Sequence, residues 1–114
     1  MRDKLFLLKA DFVDPAYPGQ RFFCWHCALL EGVLASFPDL KGSLHVERIK
    51  WPRPRQAVVD LIGVENQSLP VLVLADDAEL GLETGKANGR RFVAGKDAIL
   101  RALAMRHGIP DPHP

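Results

Sequence analysis

Five consecutive apolar residues, Val71-Leu72-Val73-Leu74-Ala75, follow Pro70. Side chains alternate between the two faces of a strand, so a run with no polar position predicts a central strand covered on both sides. A proline lacks the backbone donor that a strand interior needs, and it fits at the head of one. The rest of the chain supplies sheet partners and covering layers. Lys4 to Lys9 reads as another buried strand, with Leu5, Phe6, Leu7 and Leu8 between charged ends. From Cys24 to Phe37 the residues Cys27, Leu30, Leu34 and Phe37 recur at helical spacing, and Pro38 stops that helix. Leu44 to Lys50 predicts a strand with Leu44, Val46 and Arg48 on one side. Pro54 sits at the first turn of a helix whose apolar face is Val58, Leu61 and Ile62, with Gly63 as its C-terminal cap. Arg90 to Ala94 is the last strand. It follows a polar excursion, Asp76 to Gly89, that closes on the turn pair Asn88-Gly89. Gly95-Lys96-Asp97 opens a final helix, with Ile99, Leu103 and Met105 available for the core and Gly108 and Pro110 ending it.

The order is β-α-β-α-β-β-α, an α/β fold. The first two strands, joined through a helix, lie parallel, and the last two, joined by a loop, lie antiparallel. That predicts a four-stranded mixed sheet flanked by helices on both faces. A length of 114 residues supports one domain, 1–114, with a loose Pro-rich tail from about residue 109. Lys plus Arg is 15 against 14 for Asp plus Glu, a formal charge of +1. A binder that works by neutralising phosphates is far more basic, so no nucleic-acid partner is expected. Apolar runs of at most five residues fall short of the ~20 needed to cross a bilayer, so no membrane partner is expected either. The N-terminal apolar stretch ends after four residues at Lys9, too short for a signal peptide. A cytoplasmic protein with reduced thiols is the expectation.

The chain's two cysteines stand three apart in Cys24-Trp25-His26-Cys27, where the turn after the first strand enters the first helix. Two cysteines at i and i+3 on a helical turn are able to close a disulfide. At a helix N-terminus the positive dipole end and free N–H groups favour a thiolate on the first cysteine, and a protonated His26 adds to the effect. Cys27 lies one turn deeper, on the face of Leu30, which predicts a buried and less reactive thiol. Cys24 is thus the attacking sulfur and Cys27 the resolving one. A structural zinc site needs four ligands, and no second cysteine pair exists to complete one.

Cys24-Trp25-His26-Cys27 together with Ser68-Leu69-Pro70-Val71 resembles the thioredoxin/glutaredoxin superfamily. Pro70 follows Cys27 by 43 residues (70 − 27), with one strand and one helix between them. The resemblance covers residues 4–9, 22–75 and 90–107. The whole chain is also similar to a family of short bacterial thioredoxin-like proteins of unknown function. The resemblance implies a thiol–disulfide oxidoreductase acting on a protein or small-molecule disulfide, with no cofactor. It implies a cis-Pro70 packed against the cysteines, backbone groups of Leu69 turned toward an extended substrate, and Trp25 exposed beside the nucleophile. A histidine before the second cysteine resembles the oxidising members of the superfamily.

Two alternatives stand beside that reading. In a glutathione-dependent enzyme Cys24 works alone. Asp97 then matches the aspartate with which glutaredoxins hold the glutamyl end of glutathione, and Arg53 grips a carboxylate. The acidic-then-serine pair of the transferases falls at Gly95-Lys96 and is missing. In the other alternative the chain is a non-catalytic interaction module. The run Lys50-Trp51-Pro52-Arg53-Pro54-Arg55 reads as a solvated turn or a grip for an anionic partner. The segments Asp11 to Phe23 and Asp76 to Gly89 exceed the simple fold, and each reads either as a cap that narrows access to Cys24 or as surface decoration. Phe22 and Phe23 are candidates for the core.

Overall fold

The computed structural model describes residues 1–114. Its strands are β1 (Asp3–Leu8), β2 (Phe12–Val13), β3 (Arg21–Phe22), β4 (Leu44–Ile49), β5 (Val71–Val73), β6 (Gly85–Ala87) and β7 (Arg90–Ala94). The helices are α1 (Trp25–Ser36), α2 (Leu40–Ser43), α3 (Gln56–Ile62) and α4 (Lys96–His107). A mixed five-stranded sheet runs β4-β1-β5-β7-β6, while β2 and β3 form a separate two-stranded hairpin. β1 is parallel to β4, with Leu5 opposite Val46, and antiparallel to β5, with Leu5 opposite Leu72. β5 and β7 are antiparallel, with Leu72 opposite Val93.

Both faces of the sheet are covered, and the apolar run shows how. Leu72 turns to the face shared by α1 and α4, in a core with Leu5, Leu7, Leu30, Leu34, Val93, Ile99 and Leu103. Val71 and Val73 turn the other way, to Phe6, Val58, Ile62 and Phe92 under α3. Each such side chain removed from water contributes about 1.5–3 kcal/mol before the entropy of ordering it is counted.

The sheet has five strands where the sequence predicts four. Gly85-Lys86-Ala87 lacks apolar alternation, and its pairing rests on backbone bonds to β7. Gly85 is needed there, because a Cβ would come within 2.4 Å of the Phe92 ring. Asn88 (φ 51°) and Gly89 (φ 72°) make the two-residue turn that joins β6 to β7. The third helix starts at Gln56, later than Pro54. Arg55 is its N-cap, held out of helical geometry (φ −92°, ψ 82°) while its N–H donates to the Gln67 side chain. Met105 is exposed rather than core, since two residues beyond Leu103 is the far side of the helix, and Ala102 takes the inner position. Ile109 packs on the main core, and residues 110–114 are exposed.

Parallel β1 and β4 end, and antiparallel β5 begins, at one edge of the sheet. The cysteine pair lies at that edge. At the opposite end the buried Asp3 carboxylate accepts from Arg106 Nε (2.5 Å), Arg106 Nη2 (2.9 Å), His107 Nε2 (2.8 Å) and the Ala75 N–H (2.7 Å). It fastens the end of α4 to the start of β1.

Candidate functional site

Cys24 is the N-cap of α1, in extended geometry (φ −80°, ψ 112°). Its Sγ accepts the Cys27 N–H at 3.2 Å, taking the place an oxygen takes in an ordinary cap. The Cys24 carbonyl accepts the Ala28 N–H, so both polar ends of the residue are fixed by the first helical turn. One turn on, Cys27 is 2% exposed, and its Sγ accepts the N–H of Leu8, the last residue of β1, at 3.4 Å. That contact docks the start of α1 on the end of β1, between β4 and β5 in the sheet. Both thiols are free. Burial pushes the Cys27 thiol up to about 12, and the hydrogen bond and charge of Cys24 and the charge of Glu31 push the same way, against the Leu8 N–H. The pair is therefore graded, with one sulfur half-exposed and one deeply buried and held protonated at neutral pH.

A hollow of about 170 Å³ opens beside the sulfurs, lined by both cysteines with Leu8, Ala10, Phe23, Ala28 and Glu31. Phe23 is thus 63% exposed at the mouth of this hollow instead of lying in the core, and Phe22 is half-buried in the hairpin. Trp25 is 62% exposed. The His26 ring meets it edge-on at 3.9 Å between centroids, and Lys96 Nζ lies 5.6 Å over the indole. Lys96 comes from the first turn of α4, so that helix contributes a cation to the cysteine end. It was not among the residues the sequence singled out.

The Leu69–Pro70 bond is cis, as is Arg53–Pro54. Pro70 is buried, and Leu69 is half-buried against the core cluster that also touches Cys24 and Trp51. Arg53 is exposed. Asp97 is exposed too, pairs with Lys96 at 3.1 Å, and lines a separate hollow with Gly81, Leu82, Glu83, Thr84 and Arg101. The Asp76–Gly89 excursion packs on β7 and α4, where Arg91 donates to the Ala78 and Glu79 carbonyls and pairs with Glu83.

Arg55 departs most from its sequence reading. The run Lys50 to Arg55 reads in the sequence as a solvated turn or a grip for an anionic partner, and either predicts an exposed side chain, yet Arg55 is 6% exposed. Its guanidinium donates twice to the Trp51 carbonyl (3.0 and 2.7 Å) and once to the Gln67 carbonyl (2.7 Å), without a carboxylate partner. Burial lowers its hold on the proton, Arg53 lowers it further, and the two cysteines act in the opposite sense. Gln67, itself buried, closes the clamp by accepting the Arg55 N–H and donating to the Val64 carbonyl. Together they tie the turn after β4 to the segment that carries Leu69 and Pro70.

The sequence matches the model of a family described as protein of unknown function (DUF3088), over residues 2–111 of the 114. The chain belongs to the DUF3088 family. No curated protein and no solved structure matches it. In this DUF3088 chain no helix is long and apolar enough to cross a membrane. No group of three or more His, Cys, Asp or Glu side chains is placed to hold a metal ion.

Proposed function

We propose that this DUF3088 chain is a thioredoxin-like thiol–disulfide oxidoreductase whose working group is the Cys24–Cys27 dithiol. The observation that carries the reading is the grading of the pair. An N-capping sulfur sits at a helix terminus, and a buried sulfur one turn below it is bonded to the end of β1, a strand inside the sheet.

In the forward step the Cys24 thiolate attacks one sulfur of a substrate disulfide. That S–S bond breaks, the departing sulfur leaves as thiolate and takes a proton from solvent, and a Cys24–substrate disulfide remains. Cys27 must then lose its proton and attack the Cys24 sulfur. The structure gives a reason for this order. Two of the influences that hold Cys27 protonated, a hydrogen bond and a negative charge, come from Cys24. Once Cys24 is bound in the mixed disulfide its charge is gone, and the Cys27 proton becomes easier to lose. The Cys24–Cys27 bond forms, the second substrate thiol leaves, and two electrons have passed from the dithiol to the substrate. The reverse sequence oxidises a substrate dithiol.

Exchange with a small aromatic disulfide tests the assignment. Cys24→Ser abolishes it, and Cys27→Ser accumulates a mixed disulfide on Cys24 detectable by mass. Undiminished exchange by Cys24→Ser contradicts the assignment. A glutathione-dependent enzyme gives full turnover with Cys27→Ser, and a non-catalytic module gives none with any form.

A further inference from the structure

A second hollow, of about 400 Å³, adjoins the one at the cysteines and shares Ala10 with it. Its volume is within the range of sites that enclose small ligands or peptide side chains. The Lys9 N–H bonds to the Ile49 carbonyl, so Lys9 and Lys50 leave the ends of neighbouring strands side by side. Both are exposed, and neither forms an ion pair. The carboxylate in this hollow belongs to Asp11 and is held by both arms of Arg21 across the hairpin. Arg53, just beyond Pro52, is also without an acidic partner.

The walls are braced. Phe12 stacks on Trp51 (5.9 Å, 12°) and touches Phe22, which meets Tyr17 edge-on at 5.6 Å. This aromatic row fixes the β2–β3 hairpin against the turn after β4, so the groove exists before anything enters it. The insertion that lengthens this chain after its first strand is thereby one wall of the groove.

We propose that this groove docks an acidic stretch of a partner polypeptide, laid along Phe12 and Trp51 with its carboxylates at Lys9 and Lys50. The stretch leads past Ala10 to the cysteines. Calling that polypeptide a substrate rests on the dithiol reading; its docking does not. A peptide fits better than a free anion because the groove is mostly apolar between its two cations. It fits better than a nucleic acid because a chain of net charge +1 offers few phosphate contacts.

The test uses fluorescent ten-residue peptides without cysteine, one rich in Asp, Glu and Leu and one with Lys in place of the acids. Binding is read by anisotropy at low salt to the full chain. The acidic peptide should bind about tenfold more tightly than the basic one, as expected for two charge contacts at an exposed site. Lys9→Glu with Lys50→Glu removes that preference. Lys41→Glu with Lys86→Glu, which changes the net charge equally at exposed sites away from the groove, leaves it in place. Lys9→Gln with Lys50→Gln serves if the reversed pair does not fold. Equal affinity for the two peptides overturns the proposal, as does equal loss in both double variants or tighter binding of a ten-nucleotide single strand. Preference for glutamate alone as competitor, at the same concentration as the peptide, also overturns it. Because these peptides carry no sulfur, absent exchange and absent docking are separate failures.

Discussion

Asparagine in place of Asp3 removes the one carboxylate that holds the far end of the fold together. The side chain is 0% exposed and accepts four hydrogen bonds, two from Arg106, one from His107 and one from the Ala75 N–H. Breaking a buried pair by removing one partner costs about 3–5 kcal/mol. Arg106 keeps some relief, because it is 16% exposed and retains Asp77 at 3.3 Å, which favours the lower end, about 3 kcal/mol. For a chain of this length that is a fall in melting temperature of roughly 12 °C. Burial pushes the Asp3 carboxyl up, but the bonds from Arg106, Ala75 and His107 together hold it below the usual value of 3.8. A carboxylate with a depressed folded pKa contributes stability that is complete above its unfolded pKa and lost as pH falls through its folded one. Urea unfolding of both proteins between pH 7 and pH 2 should therefore show a difference that holds down to about pH 4 and shrinks below it. A variant within 1 kcal/mol of the wild type at pH 7, or a difference that grows as pH falls, would refute the reasoning. The outcome reaches the candidate site, since α4 is anchored by this contact at one end and carries Lys96 to Trp25 at the other.

Other consequences follow from single residues. Gly85→Ala drives a methyl into the Phe92 ring and should cost about 1–3 kcal/mol in urea unfolding; an unchanged midpoint contradicts the close approach. Gln67→Ala strands the buried Arg55 N–H and should cost about 1–3 kcal/mol, with faster amide exchange in residues 51–55 as the local signature. Iodoacetamide at pH 8 should place one adduct, on Cys24. With a pKa of about 12, Cys27 is thiolate in only about one molecule in ten thousand, and its sulfur is buried as well. Equal labelling of both cysteines in the folded protein contradicts the grading of the pair.

What could be read from the sequence was whatever burial writes into local pattern. The run from Leu5 to Leu8 and the run from Val71 to Ala75 announce strands covered on both faces, and both are buried throughout. The recurrence of Cys27, Leu30 and Leu34 places the second cysteine on the inner face of its helix, where it lies. Features that depend on distant partners left no such mark. Gly85-Lys86-Ala87 is an edge strand whose reasons are the backbone of β7 and one phenylalanine ring. Arg55 looks like any basic turn residue until Gln67, 12 positions on, is folded against it. The β2–β3 hairpin and its aromatic row were hidden in a stretch whose prolines and glycine signalled only a long turn. Lys96 acquires its meaning from Trp25, which the sheet brings to it from another helix.

The reduction potential of the Cys24–Cys27 pair tests the central claim most directly. The protein is equilibrated in graded glutathione buffers, quenched by alkylation and weighed. The account predicts a reversible internal disulfide with a midpoint between about −270 and −120 mV. Two free thiols at every buffer ratio, or glutathione on Cys24 with no internal bond, would contradict it.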